Sequence, residues 1–480
     1  MPYKILVCIK ITYDRKYSNK NVQLIHNTMQ SLPSEIWYSI ALYIQDPHQR
    51  CLLLCHAGLP YNQLLQNPTD IDTIIKLDAI EILSIIDPDT ITKSQRHHIC
   101  SSKILRRVYE DHFKLNQYDI DHIIECFIRE GQLNNVQWLF KNNKVEIRHA
   151  ILTATQYGQL HIVKWLHHNQ TEGFTEIAME SAAINGHLDV VKWLHKYRTE
   201  GCTTLAMDFA AKNGHLDVVK WLHQNRREGC TAIAMEFAAM NGHLNVVMWL
   251  HENRSEGCTT HAMDQAASDG HLHVVKWLHE NRTEGCTTRA MDIAAMNGHS
   301  NVVKWLHKNR TEGCTTLAMD YACRSGHLHV VKWLNENRTE GCTTHAMDFS
   351  ASDGHLHVVK WLHENRKEGC TTLAMDGAAG NGHLHVVKWL HENRTDGCTS
   401  NAMDNASICG HLDVLKWLHE NRTEGCTTRA MTNAAINGHL HVVKWLYENR
   451  TEGGIINAIG SANRVGHSQI LTWWENYTTT

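Results

Sequence analysis

Histidine and cysteine are the residues in this chain whose numbers suggest chemistry: 37 His and 16 Cys among 480 residues. Imidazole and thiolate gather zinc, but four such ligands must approach one ion to roughly 2.0–2.3 Å. The spacings here work against that. Nine Cys, from Cys202 and Cys230 to Cys426, recur in one slot every 28 residues. Eleven His follow Gly in another, at Gly186, Gly214, Gly242, Gly270, Gly298, Gly326, Gly354, Gly382, Gly410, Gly438 and Gly466. Like ligands are thus separated by a whole structural unit, His271 and His273 at i and i+2 should point to different sides of a helix, and no Cys-x-x-Cys occurs. There is no Gly-rich phosphate loop, Gly-x-Ser-x-Gly elbow or His-Glu-x-x-His pair. Catalysis needs a unique constellation, whereas identical residues repeated tenfold serve a scaffold. The expectation is no enzyme, no metal and no cofactor, with the Gly-His histidines structural at a turn between helices.

The thiols bear on compartment instead. Units of a helical stack lie roughly 8–10 Å apart, beyond the reach of about 7 Å between Cα atoms that a disulfide needs, so the cysteine ladder is expected reduced. The amino-terminal MPYKILVCIKITYD is interrupted by Lys10 and lacks a signal-peptide core; no stretch approaches the roughly 20 apolar residues of a membrane span. Free thiols without an export signal indicate the cytoplasm or the nucleus. Asn-Arg-Thr recurs at Asn281, Asn309, Asn337, Asn393, Asn421 and Asn449, an N-glycosylation sequon read here as a by-product of repetition. A net charge of −4 gives no electrostatic footprint for nucleic acid. The lysine ladder from Lys192 and Lys220 to Lys444 is offset by acids such as Glu280 and Glu284, as on a solvated helix face.

A unit of 28 residues positions all of these ladders, and it runs from Gly186 to Gly466 without insertion or deletion. Such a period is the signature of a solenoid. In the copy from Cys202 to Asn225, Thr203 or Thr204 supplies an N-cap oxygen, and a helix carrying Ala206, Met207, Ala210 and Ala211 runs toward Asn213. Gly214 fits the left-handed residue that stops a helix. A second helix is predicted from about Leu216 to His223 or Gln224, and Asn-Arg-Arg-Glu-Gly closes the unit as a loop. On a helical wheel the Ala and Met residues share a small packing face. Val218, Val219, Trp221 and Leu222 share an arc of the second helix, while Asp217, Lys220 and His223 turn away. Burial yields about 1.5–3 kcal/mol for each large residue, against roughly 1–2 kcal/mol of backbone ordering for every residue. One unit alone would not fold, so neighbours must cover both its sides. The same logic explains why 13 of the 15 Trp occupy one slot, from Trp138 and Trp165 to Trp473.

The segment AMDFAAKNGHLDVVKWL resembles the ankyrin repeat, whose helix–turn–helix core has the form TPLHxAAxxGHxxVVxxLL. Ala206 falls at the proline, Met207 at the leucine and Asp208 at the histidine, with Ala210, Ala211, Gly214, His215, Val218, Val219 and Leu222 in register. The match covers about residues 121 to 475. Two departures stand out: the Thr-Pro entry becomes Thr-Thr-x-Ala, and the period is 28 rather than 33. The missing residues fall in the turn and projecting hairpin of the family, which implies that this row of fingers is absent or stunted. Short, tryptophan-bearing arrays of this kind resemble those of amoebae and their large DNA viruses. The ends read as caps: GQLHIVKWL from Gly158 and GQLNNVQWLF from Gly131 are weaker copies, and Gly453 to Trp474 lacks the Cys-Thr-Thr entry. Leu77 to Ile86 reads as a more worn second helix. The fold class expected is an all-α, ankyrin-like helix-turn-helix solenoid with a small N-terminal helical module.

Comparison of the copies with one another shows where they differ. One slot holds Leu205, Ile233, His261, Arg289, Leu317, His345, Leu373, Asn401 and Arg429. Four residues on come Phe209, Phe237, Gln265, Ile293, Tyr321, Phe349, Gly377, Asn405 and Asn433; three beyond lie Lys212, Met240, Ser268, Met296, Arg324, Ser352, Gly380, Ile408 and Ile436. Spacing of i, i+4, i+7 puts the three slots on one stripe of the first helix, opposite the Ala-Met face. In an ankyrin-like arrangement that stripe lines the concave groove a protein partner occupies. His261, Gln265, Arg289, Ile293, Tyr321, Arg324, His345 and Phe349 form its richest part, since aromatic residues and arginine dominate interface energies. The alternative is drift at exposed positions after duplication, which does not account for large exposed aromatic residues.

Residues 29–60 contain Leu32-Pro33-Ser34-Glu35-Ile36, a helix start with Pro and an acid in its first turn, followed by Ile36, Ile40 and Ile44 at i, i+4, i+8. An Asp-Pro break and Leu-Leu-Leu-Cys follow. This order is similar to an F-box, which implies that Leu32, Pro33, Ile36, Ile40 and Ile44 contact the linker subunit of a cullin-RING ubiquitin ligase while the repeats select a substrate. The basic-aromatic tail of the motif is missing after Cys55, and an ordinary helical cap for the solenoid is the other reading. The chain thus divides into an uninterpreted segment 1–28, an F-box-like module 29–60, a helical linker or degenerate repeats 61–120, and the solenoid 121–475.

Overall fold

Threonine at the entry of most units starts a helix by satisfying an amide that the helix itself leaves unpaired. In eight copies, at Thr231, Thr259, Thr287, Thr315, Thr343, Thr371, Thr399 and Thr427, the hydroxyl accepts from the amide two residues on, at 3.1–3.2 Å. The capping residue is therefore the first threonine of the pair. The computed structural model describes residues 117–142, 145–169 and 173–479. The F-box-like module, with Leu32, Pro33, Ile36, Ile40 and Ile44, and the worn copy at Leu77 to Ile86 lie outside the described residues.

One 28-residue unit shows how the rest is built. The first helix, Thr288–Met296, ends at Asn297, where Gly298 takes φ +77° and the His299 amide donates to the Ala294 carbonyl at 2.9 Å. That bond spans six residues, as in a Schellman cap. The second helix, Ser300–Asn309, follows at once. It is closed by the Asn309 side-chain amide, which donates to the Trp305 carbonyl at 2.8 Å. The sequon asparagines Asn281, Asn337, Asn393, Asn421 and Asn449 make the same bond. In the loop, Arg310 forks onto Glu312. No strand forms among the described residues, and this short, ion-paired turn stands where the ankyrin hairpin would project.

Two compact units divide the chain, Met1–Thr203 and Thr204–Thr480. In the first, three helix pairs are described: Gln117–Arg129 with Leu133–Asn142, Ile147–Gln156 with Leu160–Asn169, and Glu176–Ile184 with Leu188–Tyr197. Ile123, Ile124, Phe127 and Ile128 are fully buried in the first of the described helices, bulkier than the alanines of later copies. In the second unit ten helix pairs run from Leu205–Lys212 and Leu216–Asn225 to Ile455–Val465 and Ser468–Thr479. First helices pack directly on successive first helices, while second helices touch their neighbours far less. Residue size accounts for this. Ala290, Met291, Ala294 and Ala295 are buried on the inner layer and permit close approach, whereas Val302, Val303 and Leu306 fill the seam below a bulky Trp305. Successive layers of this unit therefore converge on the first-helix side.

Two expectations need correction. The tryptophans do not share the burial of their Val and Leu neighbours; Trp221, Trp249 and Trp305 are only half-buried. The splayed outer layer cannot close over an indole, and the preceding unit supplies one cover: His223 meets Trp249 edge-to-face at 5.2 Å, as His279 meets Trp305. The second concerns His271 and His273, which do not diverge. His271 is the N-cap with φ −80° and ψ 64°, outside the helix proper, so the two rings lie 5.9 Å apart. No cluster of three or more metal-ligating side chains forms among the described residues.

Polar ladders join the layers. The Asp292 carboxylate is buried and accepts from the Thr315 amide at 2.8 Å and its hydroxyl at 2.9 Å. Asp208, Asp264, Asp320, Asp348, Asp376 and Asp404 treat the next unit's threonine in the same way. On the outer side Arg310 also donates to His279 Nδ1 at 3.2 Å, which requires that nitrogen to be unprotonated. Where the slot holds Asn335, its carbonyl oxygen accepts from Arg366 at 3.0 Å instead. The Gly-His histidines complete the set: His187 donates through Nε2 to the Gln156 carbonyl at 2.8 Å and His467 to that of Ile436 at 2.7 Å.

Burial lowers the pKa of His243, His271, His327, His383 and His439, and neighbouring imidazoles lower it further. A group depressed in the folded state contributes stability that is complete above its ordinary value, about 6.5 for histidine, and is lost as pH falls through that value and the folded one. Thermal melting should therefore shift down by several degrees as pH is lowered from about 7.5 to about 5.5. The buried carboxyls of Asp208, Asp292 and Asp348 are pushed up by desolvation, the opposite direction. A carboxyl raised in the folded state contributes stability that is present below its ordinary value, about 4, and is lost as pH rises through the folded one, so it works against the histidine effect. A melting temperature flat across that pH range would contradict the histidine ladder.

Candidate protein-binding strip

Each variable slot takes its exposure from its place on the first helix. The first slot, one turn above the packed alanines, is exposed throughout: His261, Arg289 and His345 are open, and Leu205, Ile233, Leu317 and Leu373 are 41–56% exposed despite being apolar. The second slot, holding Gln265, Ile293, Tyr321 and Phe349, is half-buried between adjacent first helices. The third is mixed, with Arg324 exposed, Met296 half-buried and Ser268 buried. The three slots form a strip along the layer of first helices, and its outer edge is the open one.

Sequence reasoning chose eight residues in this strip, and the structure brings several together. His345 stacks on Phe349, with ring centroids 5.1 Å apart and planes at 11°. Arg324 lies over the Phe349 ring at 5.3 Å and its Nε approaches Asp353 at 3.4 Å. His261 and Gln265 pair at 3.4 Å within their own helix. Arg289 and Ile293 sit on a separate helix from either group. Earlier in the strip Phe209 and Phe237 approach to 5.8 Å beneath Lys212, a cluster the eight residues did not include. Its signal was the pair of phenylalanines at one slot in consecutive copies.

The chemistry on offer is recognition. At the entry of the units the thiols of Cys230, Cys286 and Cys370 are pushed up to about 11, about 12 and about 12, chiefly by burial. Such thiols are poor nucleophiles and poor ligands at neutral pH. The ladder cysteines among the described residues form no disulfide, as the layer spacing requires. The lysine ladder faces solvent at Lys220, Lys276, Lys304 and Lys332. No helix of the described residues is long and apolar enough to cross a membrane.

A family model described as ankyrin repeats (many copies) matches residues 179–223, 235–279, 263–307, 319–363, 342–391, 370–419 and 403–447. The chain belongs to the ankyrin-repeat family. Its array is a repeat scaffold for protein–protein interaction. No curated protein matches the ankyrin chain in sequence. Among solved structures it is similar to the pentatricopeptide repeat protein PPR10 in complex with an 18-nt psaJ RNA element, at 10% identity over 95% of this chain and 78% of that one, with a TM-score of 0.36. PPR10 from maize gives 8% identity, 97% and 74% coverage, and a TM-score of 0.30. Likeness at that level carries no argument about what the ankyrin array binds.

Proposed function

We propose that this ankyrin array holds another protein along its first-helix strip, with His261, Gln265, Arg289, Ile293, Tyr321, Arg324, His345 and Phe349 as its main contacts. One observation carries the reading. Near-identical units differ chiefly at three slots, and those slots form one strip, open along the first slot and half-buried at the second, that bears arginine and aromatic side chains, the residue types that anchor interfaces. Drift alone would fill solvent-facing slots with small or polar residues, and exposed Leu205, Ile233, Leu317 and Leu373 run against it. The test is the double change Tyr321→Ala and Phe349→Ala in the full chain. Loss of the partners retained by the parent on affinity purification is expected, and retention of all of them would remove the proposal.

The order Leu32-Pro33-Ser34-Glu35-Ile36 with Ile40 and Ile44 favours a second element: residues 29–60 act as an F-box and connect the bound protein to a cullin-RING ligase, in a reducing cytoplasm, the host's if the chain is of the large-DNA-virus type. Co-purification separates this from a plain ankyrin scaffold. The ligase linker should accompany the intact chain and be lost on changing Pro33 and Ile36; identical behaviour of a folded double variant would leave the scaffold alone.

A further inference from the structure

The strip contains two stations built alike. Lys212 lies over Phe209 and Phe237, its ammonium 5.5 and 5.1 Å from the two ring centroids. Arg324 lies over Phe349 at 5.3 Å, with His345 stacked on the same ring. In both, a cation at the third slot of one unit covers the aromatic ring at the second slot of the next, and four units separate Lys212 from Arg324. Between them lie exposed Ile233 and Leu317, with Arg289 open to solvent. Among the strip's residues none is Asp or Glu, in a chain that carries 50 of them. The acid at the second station is Asp353, next to the first-helix end, and its contact with Arg324 at 3.4 Å is solvent-exposed on both sides. An exposed pair of that kind is worth little and yields to a better-placed carboxylate.

Resting on the strip as the partner surface, we infer that its occupant is an extended acidic segment of another protein, with two anchors, each an acid beside an apolar residue, seated at the Lys212–Phe237 and Arg324–Phe349 stations. A cation held against an aromatic face is already oriented, so a carboxylate meets it with less ordering cost, and the apolar neighbour rests on the ring. Four layers at roughly 8–10 Å each give roughly 32–40 Å between stations. An extended chain advances about 3.3–3.6 Å per residue, so the anchors lie roughly nine to twelve residues apart. A nucleic acid strand fits the same surface poorly. It presents a charge at every nucleotide, whereas the strip offers only Lys212, Arg289, Arg324 and Arg429 over nine units of a chain with net charge −4.

The experiment is selection of displayed random peptides of about 16 residues, long enough to span both stations, on the full-length chain. Enrichment of Asp or Glu beside apolar residues, at two positions roughly nine to twelve apart, is expected. The double change Lys212→Glu and Arg324→Glu should weaken the selected peptides by about tenfold or more and shift a fresh selection toward Lys and Arg. Lys212→Met with Arg324→Met keeps the covering of the rings and should also lose the acidic preference. Peptides without acidic enrichment that still depend on Tyr321 and Phe349 would overturn the acidic occupant while leaving the strip as the partner surface. Peptide binding indifferent to every strip change would overturn both. Failure to select any peptide, or tighter binding of a single-stranded uridine oligonucleotide than of the selected peptides, would overturn the acidic occupant.

Discussion

Gly298→Val is expected to destabilise the chain by about 3 kcal/mol or more and to split one unfolding transition into two. Gly298 holds φ +77°, where a side chain costs about 1–2 kcal/mol and a β-branched one more. Space is the second term. A Cβ at this position would stand 2.9 Å from the His327 ring of the next unit, which lies against the glycine. The ring must leave, and with it the turn-to-turn contact between two layers. Stability in a stacked array is close to a sum over neighbouring interfaces, so one broken interface in mid-array uncouples the copies on either side. Urea unfolding of the parent and the variant, followed by tryptophan fluorescence, should show the split. Gly298→Ala should lie between them, and a single transition at the parental midpoint would refute the close approach of His327.

Asp292→Ala should cost about 2–3 kcal/mol, because the Thr315 amide and hydroxyl then lose their charged acceptor in a buried seam. Asp292→Asn keeps an oxygen and should recover part of the loss. The chain contains natural controls for this role. Glu236 replaces the aspartate and reaches Thr259 with a single oxygen, at 3.1 and 2.6 Å. Thr432 replaces it in the copy before Gly453 and Gly454, where the following unit has no threonine entry, and its hydroxyl turns back to the Thr428 carbonyl at 3.0 Å. Acceptor and donor disappear together. Equal stability of the parent and the Ala variant in the same urea titration would show that the ladder contributes nothing.

The helix pairs, the left-handed glycines and the alanine face could all be read from the sequence, because each is a property of one unit and its wheel. The open first slot was legible for the same reason: Leu205, Arg289 and His345 stand opposite Ala-Met positions on their own helices, whereas the aromatic residues of the second slot, expected exposed, are half-buried. Contacts between layers were not legible. Asp292 with Thr315 and Arg310 with His279 join residues 23 and 31 apart, a separation that no helical period marks. In near-identical copies every scaffold slot is equally constant, so constancy alone could not single out the aspartate. The joint loss at Thr432 and at Ile455, which stands in the threonine slot, was the available signal. Burial of the tryptophans was misjudged because a wheel assigns a face but not how closely the next layer covers it; the inner alanines draw the layers together while the outer indoles keep them apart.

Hydrogen–deuterium exchange of the full chain, free and with its captured partner bound, tests the central claim most directly. Protection confined to first-helix peptides, above all those spanning Thr288–Met296, Thr316–Arg324 and His345–Ser352, is the expected result. Protection falling instead on the lysine-bearing second helices, such as Ser300–Asn309 and Leu328–Asn337, with the first helices unchanged, would contradict it.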